Sequence, residues 1–206
     1  MKHGIKSVCG DMTSHGGFVW PKSGPVTAPD WRDDFGCGGG LHFLLAGQNS
    51  PGTWYDGGKS LVLEVDDDDI RTGSGELLDK AKCRRCIVVF CGSHNDAIQY
   101  LVDRGSVGPW YMSVLTGGHG SVLTGGHGSV LTGGNGSVLT GGDRSVLTGG
   151  HGSTLTGGNG AVLSCLWWDR SRNRICVGYV GEDGIEPNVA YRCDNGIFVA
   201  AKGGAA

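Results

Sequence analysis

The sequence predicts a mainly β protein: a short two-sided parallel β-solenoid of 16-residue coils, with an N-terminal α+β head and a C-terminal β-hairpin cap. Three observations carry this prediction. The eight-residue phrase Ser-Val-Leu-Thr-Gly-Gly-X-Gly is written six times from Ser113 with almost no drift, Arg144 and Thr154 being the departures, and a decayed copy, Ala161-Val162-Leu163-Ser164, closes the run. Each copy joins four residues rich in β-branched side chains to a glycine pair free to take positive φ, the composition of a short strand and a tight corner. The flanking text does not repeat and carries its own strand and helix signals. The predicted boundaries are 1–105 for the head, 106–164 for the solenoid and 165–206 for the cap.

The copies begin at Ser113, Ser121, Ser129, Ser137, Ser145 and Ser153. A strand of four residues cannot bury enough apolar surface alone, so the copies must stack. One octad is too short to go round a core, whereas two make a flattened coil. Odd copies then build one parallel sheet and even copies the other, each coil rising by about 4.8 Å. Leucine alone occupies the third place (Leu115, Leu123, Leu131, Leu139, Leu147, Leu155, Leu163), which marks it as the buried seam. Side chains alternate along a strand, so serine joins leucine inside and valine and threonine point out. The expected outward binding array is Val114, Thr116, Val122, Thr124, Val130, Thr132, Val138, Thr140, Val146, Thr148 and Thr156. The reverse facing would expose every leucine. The corners carry His119, His127, Asn135, Asp143, His151 and Asn159. His119 and His151 would stand two coils apart, about 9.6 Å, too far for one metal ion, so the corners are expected to be solvated.

The octad Ser-Val-Leu-Thr-Gly-Gly-His-Gly resembles the Ser-Thr-Gln-Thr-Ala-Gly-Tyr-Gly octads of bacterial ice-nucleation proteins, which the resemblance places in a sixteen-residue β-solenoid. It covers about a quarter of the chain. The outward pair here is Val-x-Thr and not Thr-x-Thr, and six copies make three coils, fewer than an ice-organising surface is expected to need. Gly-Gly-x-Gly is also similar to the calcium-binding β-roll nonapeptides. Their ligating aspartate is missing, Asp143 standing alone among the corners, which disfavours a hard cation.

Composition narrows the function further. The 206 residues carry 41 glycines and a net charge of −3, with no basic stripe, which disfavours nucleic acid as a partner. No apolar run is long enough to span a bilayer, and Met1-Lys2-His3-Gly4-Ile5-Lys6 has no apolar leader core, so a membrane is not expected and the cytoplasm is. The eight cysteines are then expected as reduced thiols. Cys83-x-x-Cys86 and Cys91-x-x-His94 have the spacing of zinc half-sites, but Ile87 to Phe90 between them reads as a straight buried strand, so these four are weak candidates. No cofactor is expected.

Along the head, Ile5 to Trp20 reads as a strand pair whose second member is Gly17-Phe18-Val19-Trp20, and Pro21, Pro25 and Pro29 then predict an irregular loop. Cys37 to Gly47 reads as a glycine turn entering a short helix. Its glycines lack the Gly-x-x-x-x-Gly-Lys phosphate-loop pattern. Ser60 to Val65 is a strand with alternating faces, Asp66 to Asp69 a solvated loop, and Arg84 to Cys91 a second strand. Ser93 or Asn95 caps a helix carrying Ala97, Ile98, Leu101 and Val102 and ending at Gly105. Cys37 to His42, Val65-Asp66 and Lys82-Cys83-Arg84, with Gly184 to Pro187, Tyr191 and Asp194 to Val199 in the tail, resemble an uncharacterised bacterial and phage protein family. That resemblance implies an architecture and no activity.

Pro109-Trp110-Tyr111-Met112 and Cys165-Leu166-Trp167-Trp168 are expected to cover the two open ends of the stack, hiding edge backbone. Arg174 to Val180 and Asn188 to Ala201 read as strands, the latter turning at Asp194-Asn195-Gly196, with Gly203 to Ala206 frayed. The function expected is a non-enzymatic structural or interaction module acting through the solenoid faces, toward a protein partner or a second copy. The alternatives are an ice-binding protein, a phage inhibitor binding a host protein or small nucleotide, and an enzyme using His42 with Cys37 or the aspartate run.

Overall fold

The computed structural model describes residues 1–48, 58–106 and 108–201, so the expected fraying of Gly203 to Ala206 lies outside it. The chain forms two compact units, Met1–Val107 and Gly108–Ala206.

The first unit contains β1 (Lys2–Val8), β2 (Gly24–Thr27), β3 (Leu41–Phe43), β4 (Lys59–Val65), β5 (Ile70–Thr72), β6 (Ala81–Cys83), β7 (Arg85–Gly92) and α1 (His94–Val102). An antiparallel sheet runs β1-β4-β7-β2 and a smaller one β3-β6-β5. Leu61, Leu63 and Val65 of β4 pack with Val8, Trp20, Phe43 and Val88 in the core. Val62, on the opposite face of β4, is also buried, and α1 brings Ala97, Ile98 and Leu101 inward. This strand is therefore covered on both faces and does not alternate in exposure as expected. Ser93 caps α1 by accepting from Asp96 N at 3.2 Å.

Three local expectations are corrected. Gly17 to Trp20 forms no strand and touches Thr13 only through a single bridge at Val19. The proline-rich stretch contains β2, where Pro25 sits opposite Ile87 on the outermost strand, a place where a missing N–H costs no ladder bond. Leu41 to Phe43 is a strand and not a helix, because Leu41 and Phe43 alternate into the core against β6.

In the second unit the repeats become β8 (Val114–Thr116), β9 (Val122–Gly125), β10 (Val130–Thr132), β11 (Val138–Gly141), β12 (Val146–Gly149), β13 (Thr154–Thr156) and the longer β14 (Val162–Trp168). These are followed by β15 (Asn173–Tyr179), β16 (Ala190–Asp194) and β17 (Ile197–Ala200). Odd copies form one sheet, ordered β15-β14-β12-β10-β8, and even copies the other, ordered β17-β16-β13-β11-β9. Within the array the strands are parallel and shifted by sixteen residues, so Leu115, Leu131, Leu147 and Leu163 stack in one file and Leu123, Leu139 and Leu155 in the facing one. Leu131 to Leu163 are fully buried, each worth about 2 kcal/mol of apolar transfer.

Beside the leucines runs a buried file of serines. Ser113 and Ser129 hydroxyls lie 3.0 Å apart, Ser121 and Ser137 3.1 Å apart, and Ser137 Oγ donates to the Gly134 carbonyl at 2.7 Å. These bonds meet the requirement that buried hydroxyls be paired.

The glycine pair bends the chain by a different means from that expected. Positive φ falls on the eighth residue, at Gly120, Gly128, Gly136, Gly152 and Gly160, whereas the pair keeps ordinary dihedrals. The pair is glycine because of crowding: a Cβ on Gly133 would stand 2.6 Å from the Ser137 side chain, and one on Gly134 2.7 Å from His119 N in the coil below.

The end below the first coil is closed by backbone beside the buried Trp110. Trp110 O accepts from Gly126 N and Met112 N donates to His127 O, both at 2.9 Å, adding a partial rung under the first coil. At the other end Trp167 and Trp168 do not plug the stack. They extend β14, Trp168 is 55% exposed, and the core is sealed by Val180, Ile185 and Tyr191. Tyr191 reaches that place because β16 runs antiparallel to β13, setting it opposite Leu155.

Candidate functional sheet faces

Alternation along strands whose leucines are buried leaves valine and threonine outside. Val114, Val130 and Val146 form one file of the odd sheet with Thr116, Thr132 and Thr148 beside it. Val122, Val138, Thr124 and Thr140 do the same on the even sheet. The exposed valines range from 40% to 73% exposure, and Thr156, at the last even rung, is half-buried. Parallel pairing in strict register brings like residues together along each file, so each face is a flat lattice of methyl and hydroxyl groups.

The two faces differ at the cap. On the odd sheet β14 and β15 pair from Val162 opposite Tyr179 to Trp168 opposite Asn173. Ile175, Val177 and Tyr179 therefore continue the outward face, at 67%, 50% and 50% exposure, and no charged side chain interrupts it. On the even sheet the corresponding rungs of β16 and β17 carry Arg192 and Asp194. The apolar extension was missed at the sequence level, although Ile175-x-Val177-x-Tyr179 alternates in the period that marks one face of a strand.

The corners are not merely solvated. Along one edge Asn135 N donates to His119 Nδ1 at 3.2 Å and His151 N to Asn135 Oδ1 at 3.0 Å, and along the other Asn159 N donates to Asp143 Oδ1 at 2.8 Å. Each side chain thus holds the backbone of the next coil. The seventh position accepts histidine, asparagine or aspartate because each offers an acceptor there.

Cys83, Cys86, Cys91 and His94 do not converge. Cys83 and Cys86 are buried, with the Cys83 thiol pushed upward by its bond to Cys86 and by burial. Cys91 Sγ lies 4.0 Å from Met12 Sδ, and His94 Nδ1 lies 3.2 Å from Ser60 Oγ. Among the described residues no three metal-ligating side chains gather. None of the eight cysteines forms a disulfide, and burial with a bond to Cys193 pushes the Cys176 thiol up to about 12.

In the first unit His42 Nε2 accepts from Gly38 N at 3.3 Å, while Cys37 Sγ accepts from Lys80 Nζ at 3.0 Å. Thiol and imidazole are thus engaged separately. The aspartate run forms an exposed single turn, in which Asp69 Oδ2 accepts from Arg85 N at 3.0 Å and Asp67 faces the N-terminal ammonium at 3.6 Å.

No family model and no solved structure matches the chain. Among the described residues no helix is long and apolar enough to cross a membrane. Over 100 residues, 48% of its length, the chain is 44% identical to the ice nucleation protein InaA of Pantoea ananas, and the match spans 7% of that protein. The likeness and the 16-residue coils together make this a structural repeat module similar to part of an ice nucleation protein.

Proposed function

We propose that the protein is a non-enzymatic structural module that self-associates through the outward face of its odd sheet. The observation carrying this reading is the uncharged apolar run of Ile175, Val177 and Tyr179 beyond the valine file, with Trp168 at its end. Exposed contiguous apolar surface on a flat sheet marks an interaction face, and aromatics are over-represented in such faces. The strand that carries most of it, β15, is the outermost of its sheet and offers unpaired backbone beside the patch.

Light scattering after size exclusion, from about 1 to 100 μM protein, tests this across the affinity range of transient dimers. The expected result is a concentration-dependent dimer, abolished by Ile175→Lys with Val177→Lys and retained in Val138→Lys on the even sheet. A monomer at every concentration would dispose of the reading.

Ice binding is a second reading, favoured by the likeness to the Pantoea ananas protein and by threonine files in strict register. Inhibition of ice recrystallisation at micromolar protein, lost in Thr132→Tyr, is its expected sign. Crystals that coarsen as in buffer would remove it.

A further inference from the structure

The first unit holds a cationic cleft whose described lining residues include no carboxylate. It lies where Ile5 and Leu44 exchange backbone hydrogen bonds at 2.8 Å and is lined on its polar side by Lys6, Ser7, His42 and Lys80. Lys6 is only 8% exposed, and among the described residues no carboxylate or hydrogen-bond acceptor reaches its ammonium. Its favourable neighbour is the Trp20 ring, 5.9 Å from Nζ. Lys80 donates to the Cys37 thiol and likewise has no carboxylate partner among the described residues.

Lys82 provides the contrast. It is fully buried and spends its three protons on Asp34 Oδ1 at 2.6 Å and the Gly36 and Gly38 carbonyls at 3.1 Å, fastening the glycine turn. That lysine is satisfied by the fold, whereas Lys6 is not and Lys80 is met by the Cys37 thiol and by no carboxylate among the described residues. An ammonium withdrawn from water without an anionic partner is costly, and a cleft that sets the buried Lys6 beside the half-buried Lys80 with no carboxylate in its lining favours an anion. His42 reports the same field: burial and then the charges of Lys80, Lys6 and Lys82 hold its pKa down to about 4.

We propose that this cleft binds a small multivalent oxyanion of the phosphate class, free or as the terminal group of a small metabolite, held between Lys6 and Lys80 with the Ser7 hydroxyl as a third donor. Ammonium groups serve as point-charge ligands for phosphate, and charge-assisted bonds of this kind are the strong ones. A single carboxylate would neutralise only one of the two lysines.

Isothermal titration of the full chain at pH 7 and fixed ionic strength tests the proposal, with inorganic phosphate and glycerol phosphate as probes and chloride as control. Saturable binding of either phosphate is expected, the tighter probe identifying the natural form, together with a rise in the His42 titration midpoint followed by NMR. Lys80→Met and Lys6→Met are each expected to weaken binding at least tenfold, and the latter removes a buried charge and should fold. Phosphate heats identical to chloride, or wild-type binding in Lys80→Met, would overturn the assignment.

Discussion

Arg144 stands where every other complete copy has glycine, and it adopts φ of 56° at that corner. The left-handed region costs a side chain about 1–2 kcal/mol relative to glycine. No hydrogen bond or ion pair from the Arg144 side chain compensates among the described residues; its carbon stem merely rests 3.9 Å from where a Cβ on Gly160 would stand. Arg144→Gly is therefore expected to stabilise the second unit by about 1 kcal/mol, read as a shift in a chemical denaturation midpoint at unchanged slope. An unchanged or lowered midpoint would mean that the corner bears no strain. The same scale explains why the repeat drifts so little. The leucines have no room, the serines must find each other, and the paired glycines touch the coil below. Apart from Thr154 at the second place and Arg144 at the eighth, only the seventh place varies, within a set of side chains that can accept a hydrogen bond.

Asp169 does for the hairpin of β14 and β15 what the corner residues do for the stack. Its carboxylate accepts from Ser171 Oγ at 2.7 Å, from Ser171 N and Arg172 N at 2.8 Å, and from Arg174 Nε at 2.5 Å. These bonds, the Ser171 hydroxyl first, hold its carboxyl well below the usual carboxylate range. A carboxylate depressed in the folded state stabilises fully above its unfolded pKa of about 3.9 and loses that contribution as pH falls toward the folded value. Asp169→Asn is expected to flatten the acid side of the stability profile between about pH 4 and 2, followed by the fluorescence of neighbouring Trp167 and Trp168. An acid slope equal to the parent's would show that the turn is held otherwise. Elements of this kind were only partly legible in the sequence. The solenoid could be read because one octad repeats, making its period unmistakable. Leu41 to Phe43 could not be distinguished from a helix, since a short apolar run fits both periods until its partner strand is known. Pro25 concealed β2, because a proline excludes a central strand but not an edge, and edge position is a property of the sheet. The apolar face of β15 alternates plainly in the sequence, but its continuity with the valine file depends on pairing with β14. Nothing in local sequence places Lys6 and Lys80, which lie far apart in the chain, in one cleft.

For the second unit as a whole, the coil and not the octad is the structural quantum, because successive octads belong to opposite sheets while the cap is built for one order of them. β14 must finish on the sheet of β8, β10 and β12 so that β15 can extend it, and β13 must finish opposite so that β16 can set Tyr191 against Leu155. Deleting Ser129–Arg144 removes sixteen residues and joins Gly128 to Ser145, leaving every later strand on its own side and setting Leu147 over Leu115. Stability in stacked repeats is roughly a sum of coil and interface terms, so this variant is expected to fold and melt cooperatively, a few degrees below the parent. Deleting only Ser137–Arg144 removes half as many residues but moves every later strand to the opposite sheet. β15 would then be asked to extend the wrong face while the rung beneath Tyr191 was missing, and the cooperative melt is expected to disappear. Circular dichroism melts of the two deletions against the parent decide the matter. The smaller deletion must do the greater damage, and a half-coil variant that melts like the parent would mean that the cap does not depend on which sheet the last strand joins.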